Sequence, residues 1–305
     1  MKFSIYQESR IGRRKSNQDR VAYCYSRDAL LMVIADGMGG HLHGDVAAHI
    51  SVRFVTEAFQ REAQPTLADP ALFLSRALTN AHSAILDYAF DKNLDEAPRT
   101  TIVACVVQDG FAHWAHAGDS RLYLLRQGRI AAQTRDHSRV QLMLDQGLID
   151  ADEAARHPGR NRVYSCLGGN HAPQIEFSQR TRLRDGDVFA LCTDGVWGPL
   201  RDQGMLDGLA GTNVMEAVPK LMDQAEVLAG AGCDNLSMIA MRWHADATEP
   251  RDHTVSTQTM ALHKFTTQLD AFERTQPPAA AYDITDDDIE RAIAEINQAI
   301  HKFSK

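Results

Sequence analysis

Hydrophobic residues change period several times along the chain, and each change predicts an element. "ALLMVIA" (29–35) is apolar at every position, as a strand buried on both faces requires, and "RVAYCYS" (20–26) before it reads as a strand too. A period near 3.6 follows. Val46, Ile50, Phe54, Val55 and Phe59 share one helical face, and Asp69-Pro70 supplies an N-cap and first-turn pair for a helix carrying Leu72, Leu74, Leu78, Ile85 and Leu86. The period then falls to two. "TTIVACVVQ" and "FAHWAHA" predict a hairpin turning at Asp109-Gly110, and "SRLYLLRQGRIAAQ" predicts a second around Gly128. Short helical patterns at "SRVQLMLDQG" and "DADEAARH", a strand "DVFALCT", a helix from Val214 to Leu228 and a strand "LSMIAMRW" follow. Helices grouped between antiparallel hairpins, without βαβ alternation, predict an α+β sandwich and not a doubly wound sheet.

After Trp243 the pattern shifts. "HADATEPRDHTVSTQ" is polar and turn-rich and reads as a linker. Two helical stripes follow it, Leu262, Phe265, Leu269 and Phe272, then Ile289, Ile293, Ile296, Ile300 and Phe303 behind a Thr285 cap. The predicted organisation is therefore a domain over 1–243 and a linker with a C-terminal helical extension over 244–305. The stripes either pack intramolecularly, or dock a partner or a second copy.

Composition narrows the classes. With 44% hydrophobic and 24% charged residues, the 305-residue chain is ordinary for a soluble protein, and its net charge of -8 argues against nucleic acid or an anionic membrane as partner. Its five cysteines are odd in number and widely spaced, four of them in apolar or small-residue surroundings that suggest buried thiols in a reducing compartment. The first residues hold no apolar signal region, and no window approaches ~20 apolar residues, so a cytoplasmic location is expected.

Four carboxylates interrupt apolar runs: Asp36 in "VIADG", Asp119 in "AHAGDS", Asp194 in "ALCTDG" and Asp234 in "GCDNLSMIAM". Singly, each reads as a turn residue. Together, on neighbouring strands, they would bring repelling anions to one end of a core, and a cation would have to neutralise them. All-oxygen donors select Mg²⁺ or Mn²⁺, with Gly37 small enough to let its carbonyl approach an ion. His41, His43 and His49 lack a Cys or Glu placed to complete a zinc site.

Seven stretches, "GRRKSNQD" (12–19), "IADGMGGH" (34–41), "TTIVA" (100–104), "AHAGDSRLYLLRQG" (115–128), 135–169, "LRDGDVFALCTDGVW" (183–197) and "CDNLSMIAM" (233–241), carry a resemblance. In this order they resemble the bacterial metal-dependent protein serine/threonine phosphatases of the 2C type. The resemblance implies a four-layer α-β-β-α sandwich of two antiparallel sheets. It implies two core Mg²⁺ or Mn²⁺ ions held by Asp36, the Gly37 carbonyl, Asp194 and Asp234, with a third between Asp119 and Asp194. It makes Arg14 the arginine that grips the substrate phosphate, places Asp19 behind the ligands, and makes about 136–167 a flap beside the site. The implied reaction is hydrolysis of phosphoserine or phosphothreonine by metal-activated hydroxide, without a phosphoenzyme, opposing a bacterial Ser/Thr kinase or acting on its target; type VI secretion regulation is one setting. The alternative is a catalytically weak phosphopeptide-binding module acting through its C-terminal helices. This chain departs from the pattern at Gln18, in place of a glutamate ligand, at Met38, in place of the histidine that serves eukaryotic members as general acid, and at Arg99, where glycine is usual.

Overall fold

The computed structural model describes residues 1–38, 43–169, 171–245, 254–258, 260–261 and 264–269. The stripe residues Leu262 and Phe272 and all of 285–303 lie outside them. In chain order the strands and helices are β1 (Lys2–Arg10), β2 (Asp19–Tyr25), β3 (Ala29–Asp36), α1 (Gly44–Glu62), α2 (Pro70–Asp91), β4 (Arg99–Thr100), β5 (Ile102–Gln108), β6 (Phe111–Ala117), β7 (Arg121–Arg126) and β8 (Arg129–Gln133). After these come α3 (Arg139–Asp145), α4 (Ala151–Arg156), β9 (Leu167–Gly168), β10 (Glu176–Phe177), β11 (Thr181–Arg182), β12 (Val188–Cys192), α5 (Asp194–Leu209), α6 (Val214–Ala229), β13 (Leu236–Trp243), β14 (Val255–Ser256) and β15 (Thr266–Leu269). One sheet runs β14-β1-β13-β12-β7-β8 and the other β10-β6-β5-β3-β2-β15, with β11 also on β6. All of these pairings are antiparallel.

The two sheets face each other across a core in which Leu30, Met32 and Ile34 of β3 meet Leu122, Leu124, Phe189, Leu191, Ile239 and Met241. Leu31, Val33 and Ala35 point the other way and are equally buried, beneath α1. This is why "ALLMVIA" shows no alternation: helices cover the outer face of each sheet. On the far side α5 and α6 close over the sheet of β12 and β13, with Val218, Leu221 and Met222 against Val188, Ala190 and Met238. The result is the four-layer sandwich, and both hairpins turn where predicted, with Asp109-Gly110 and Gln127-Gly128 at positive φ as a type I′ turn needs. Asp69 caps α2 by accepting from the amides of Ala71 and Leu72. No described helix is long and apolar enough to cross a membrane.

The chain after Trp243 corrects the expectation. Thr266–Leu269, read as part of a helix, is β15, paired with Ala22–Tyr25 on the open edge of β2, and Val255-Ser256, read as linker, is β14, paired with Lys2-Phe3. The three-four spacing of Leu262, Phe265 and Leu269 loses to the unmet hydrogen bonds of the β2 edge, a demand that local periodicity does not contain. Side chains reinforce the pairing: Gln60 Nε2 donates to Thr267 Oγ1 at 2.6 Å, the Tyr23 hydroxyl donates to Gln268, and Thr257 Oγ1 donates to the Arg27 carbonyl at 2.5 Å. The compact unit accordingly extends over Met1–Ala271.

Candidate metal centre and active site

The carboxylates meet where strands of both sheets end. Asp36 closes β3 and faces Asp19, the first residue of β2, directly across the ladder. Asp119 lies in the link from β6 to β7 that carries the chain from one sheet to the other. Asp194 opens α5 immediately after β12, and Asp234 precedes β13, the neighbour of β12. Asp19 and Asp119 are buried, whereas Asp36, Asp194 and Asp234 keep part of their surface exposed.

Backbone contacts too close for any side chain fix this convergence. A Cβ on Gly195 would stand 2.0 Å from the Asn235 carbonyl oxygen, and one on Gly37 would stand 2.3 Å from that of Gly44. Neither glycine has positive φ. The two Asp-Gly pairs are therefore not turns. Their glycines let two backbone segments touch, which sets Asp194 beside Asp234 and holds the Gly37 loop against the start of α1. The Gly37 amide donates to the Gln18 carbonyl at 3.1 Å, so Gln18 contributes through its backbone. Arg99 does the same, its carbonyl accepting from the Met38 amide at 3.0 Å.

Three supporting residues escaped the sequence reading. Thr193 donates its hydroxyl to Asp19 Oδ2 at 2.9 Å. Thr100 donates to the Asp36 carbonyl at 2.8 Å. Asn235 accepts from the Gln18 amide and donates Nδ2 to the carbonyls of Ile11 and Ser16, stapling the loop that carries Arg14 beside Asp234. The signal available for Asn235 was an Asp-Asn pair directly before an apolar strand, but its partners lie more than 200 residues away.

Electrostatics mark the cluster as incomplete by itself. Withdrawal from water, then repulsion from Asp19, Asp194, Asp119 and Asp234, pushes the Asp36 carboxyl well above the usual range. Asp119 is raised in the same way by burial and Asp194. Burial and Asp234 push Asp194 up to about 6, and burial pushes Asp19 up to about 7 against the Thr193 and Ser237 hydroxyls. Asp19 Oδ1 is buried with no hydrogen-bond partner. Five aspartates, an orphaned acceptor and a glycine carbonyl fit hard divalent cations, and Asp36, Gly37, Asp119, Asp194 and Asp234 are the residues that would hold them.

This predicts a pH dependence. Folded-state values above the unfolded value near 3.9 mean stability that is present at acid pH and lost as the pH rises through the folded values. The metal-free chain is expected to melt at progressively lower temperature from about pH 4 to about pH 7, the range set by Asp194 and Asp19. Mn²⁺ is expected to flatten that slope, as melting curves in chelator and in Mn²⁺ would show.

Arg14 sits at the cluster's rim, its Nη2 2.6 Å from Asp234 Oδ2, with its side chain more than half exposed. A cleft of about 980 Å³ opens from there, lined by Arg14, Asp194, Asp234 and Trp197 and, across it, by Val140, Leu144 and Arg160 of the segment expected to be a flap. No described residue lining it is a histidine. Trp197 Nε1 donates to the Asp119 carbonyl at 2.9 Å and stacks on the Arg121 guanidinium, 3.5 Å from the ring centre, whose fork in turn holds Asp136.

Comparison with known proteins agrees with this geometry. Serine/threonine protein phosphatase PstP of Mycobacterium tuberculosis is 33% identical over 226 residues, 74% of this chain, which spans 42% of that relative's length. The structure of the PstP catalytic domain in complex with two manganese ions matches with TM-score 0.67 at 30% identity, over 79% of this chain and 98% of that one. PppA of Pseudomonas aeruginosa, described as a key regulatory component of the type VI secretion system, matches with TM-score 0.65 at 27% identity over 79% of this chain and 97% of its own. The protein phosphatase 2C family model covers residues 6–236, from β1 to the start of β13, and the chain belongs to that family.

Proposed function

We propose that the chain is a Mn²⁺- or Mg²⁺-dependent phosphatase of phosphoserine and phosphothreonine proteins. The observation that carries this reading is the convergence of five aspartates at one sandwich end beside a cleft rimmed by Arg14. When bound, divalent ions would polarise a phosphoryl oxygen and acidify water near neutral pH. The protein's own residues do the rest. Asp36, reaching the centre from one sheet, and Asp194 and Asp234, from the other, would hold the ions. Asp19 stays behind them, oriented by Thr193. Arg14 can turn from Asp234 to a phosphate, where its planar fork makes two charge-assisted hydrogen bonds and stabilises the charge that spreads over the equatorial oxygens. Arg14→Ala is expected to lower kcat/KM by about 1.5–3 kcal/mol, chiefly through KM, the scale of a hydrogen bond to a charged group. Kinetics on a phosphopeptide check it, and an unchanged kcat/KM would remove Arg14 from the site.

The alternative, a binding module that holds phosphopeptides without turnover, has no use for a full aspartate set. Turnover of a phosphopeptide with and without Mn²⁺ separates the two. Removing phosphate from serine or threonine opposes whichever kinase placed it there, and the likeness to PppA supports a setting in secretion.

A further inference from the structure

A second cluster of donors lies on the edge of the β6 sheet, separate in its residues from the aspartates, with His137 touching Gly118, the neighbour of Asp119. His116 on β6 and Glu176 on β10 are direct cross-strand partners, so their side chains share one face. His137, in the segment between β8 and α3, closes the group. Its Nε2 lies 3.5 Å from Glu176 Oε2, and its ring is tilted by 30° to that of His116 with centroids 4.6 Å apart. One donor atom from each of the three lies within 4.8 Å of the others.

We propose that His116, His137 and Glu176 form a binding site for one borderline divalent ion of the zinc type, chemically distinct from the all-oxygen aspartate centre. Two imidazoles and a carboxylate are a donor set suited to zinc rather than magnesium, and three protein ligands with an open fourth position are a common zinc arrangement. The lone pair of His116 is already assigned. Its Nε2 donates to the Arg135 carbonyl at 2.8 Å, which leaves Nδ1 unprotonated, the same outer hydrogen bond that orients metal-bound histidines elsewhere. Both rings are buried, and burial holds each below its ordinary pKa, the direction that favours a metal over a proton. Glu176 is about half exposed and provides the route of entry. Ligation through His137 Nε2 moves the ring proton to Nδ1. Nδ1 then no longer accepts from the Gly118 amide, a contact already long at 3.4 Å, and the His137 ring has to turn so that the two N–H groups do not face each other.

The ion would join three parts of the molecule. The His137 amide donates to the Gly118 carbonyl at 2.9 Å, its carbonyl accepts from the Tyr164 amide at 2.8 Å, and its ring stacks on that of Tyr164. Zinc at this point therefore ties the β6–β10 edge to both ends of the segment that lines the cleft.

Equilibrium dialysis of the full chain against limiting Zn²⁺, in excess Mg²⁺ to fill the aspartate centre, tests the site. About one zinc per chain is expected to remain bound. Glu176→Gln, a half-exposed and nearly isosteric change, is expected to weaken zinc retention roughly tenfold or more and to leave the metal-free melting temperature unchanged. His116→Gln should do the same to zinc. Asp119→Asn should leave zinc retention intact, because that residue belongs to the other centre. Failure of the wild-type chain to retain zinc in Mg²⁺, equal retention by Glu176→Gln, or loss of zinc in Asp119→Asn would each overturn the proposal. Should His116→Gln not fold, the Glu176→Gln and Asp119→Asn arms still decide.

Discussion

Asp36→Asn is expected to lower phosphatase turnover by about three orders of magnitude or more, a loss of roughly 4 kcal/mol in transition-state stabilisation, while the protein remains folded. Asparagine keeps the shape, the backbone preferences and the hydrogen bonds that the Asp36 backbone makes with Thr100 and Thr101. It removes only the charge. Without metal that charge is a burden, facing Asp19 across the ladder and repelled by three more aspartates, so the metal-free variant should melt at the same temperature as wild type or higher. With Mn²⁺ the order should reverse, because an ion that binds only the native state stabilises wild type and has lost a ligand in the variant. Rates and melting temperatures of both proteins across a Mn²⁺ titration settle the matter. A fully active Asp36→Asn protein would sink the metal-centred mechanism.

Truncation after Trp243 is expected to be nearly as damaging, to the fold rather than the chemistry. It deletes β14 and β15 and leaves the outer edges of β1 and β2 unpaired, and β2 belongs to the strand pair that carries Asp19 and Asp36. The lost bonds include those of Thr257 with Met1 and Arg27, of Thr267 with Gln60 and of Gln268 with Tyr23. At about 1 kcal/mol net for each, with the two ladders added, the deficit is roughly 4–6 kcal/mol, a large part of the stability of an ordinary domain. Two open edges also invite association. A chain ending at 271 should stay monodisperse, whereas one ending at 243 should melt much lower and aggregate. Calorimetry and size-exclusion chromatography compare them. Equal melting temperatures would show that the two strands are ornamental.

The contrast between these two regions explains what a reading of the sequence can reach. β3 announced itself because a strand covered on both faces must be apolar throughout, and α2 because Asp69 and Pro70 satisfy its own first turn. Asp36, Asp119, Asp194 and Asp234 were legible because each stands where an apolar run stops or starts. α5 was not, since Pro199 and glycines at 195, 198, 204 and 208 obscure its pattern. β1 and β15 were missed because their partners are remote: Ile5 lies opposite Met241, and Leu269 opposite Ala22. Asn235 and the pair His116 and His137 share that character, taking their meaning from neighbours that only the tertiary fold supplies.

The position of β1 has a consequence for how the protein is made. β1 is held between β13 and β14, so its pairing must wait for two strands that lie far along the chain. Until residue 256 has emerged one sheet lacks a margin, and until residue 269 the other does too. Loops of this length close slowly, and pairings so distant in sequence raise the contact order. Until those strands have been made, β1, with its apolar Phe3 and Ile5, has neither of its partners. Those two residues are buried in the finished fold, and refolding from denaturant should be governed by the same late closure.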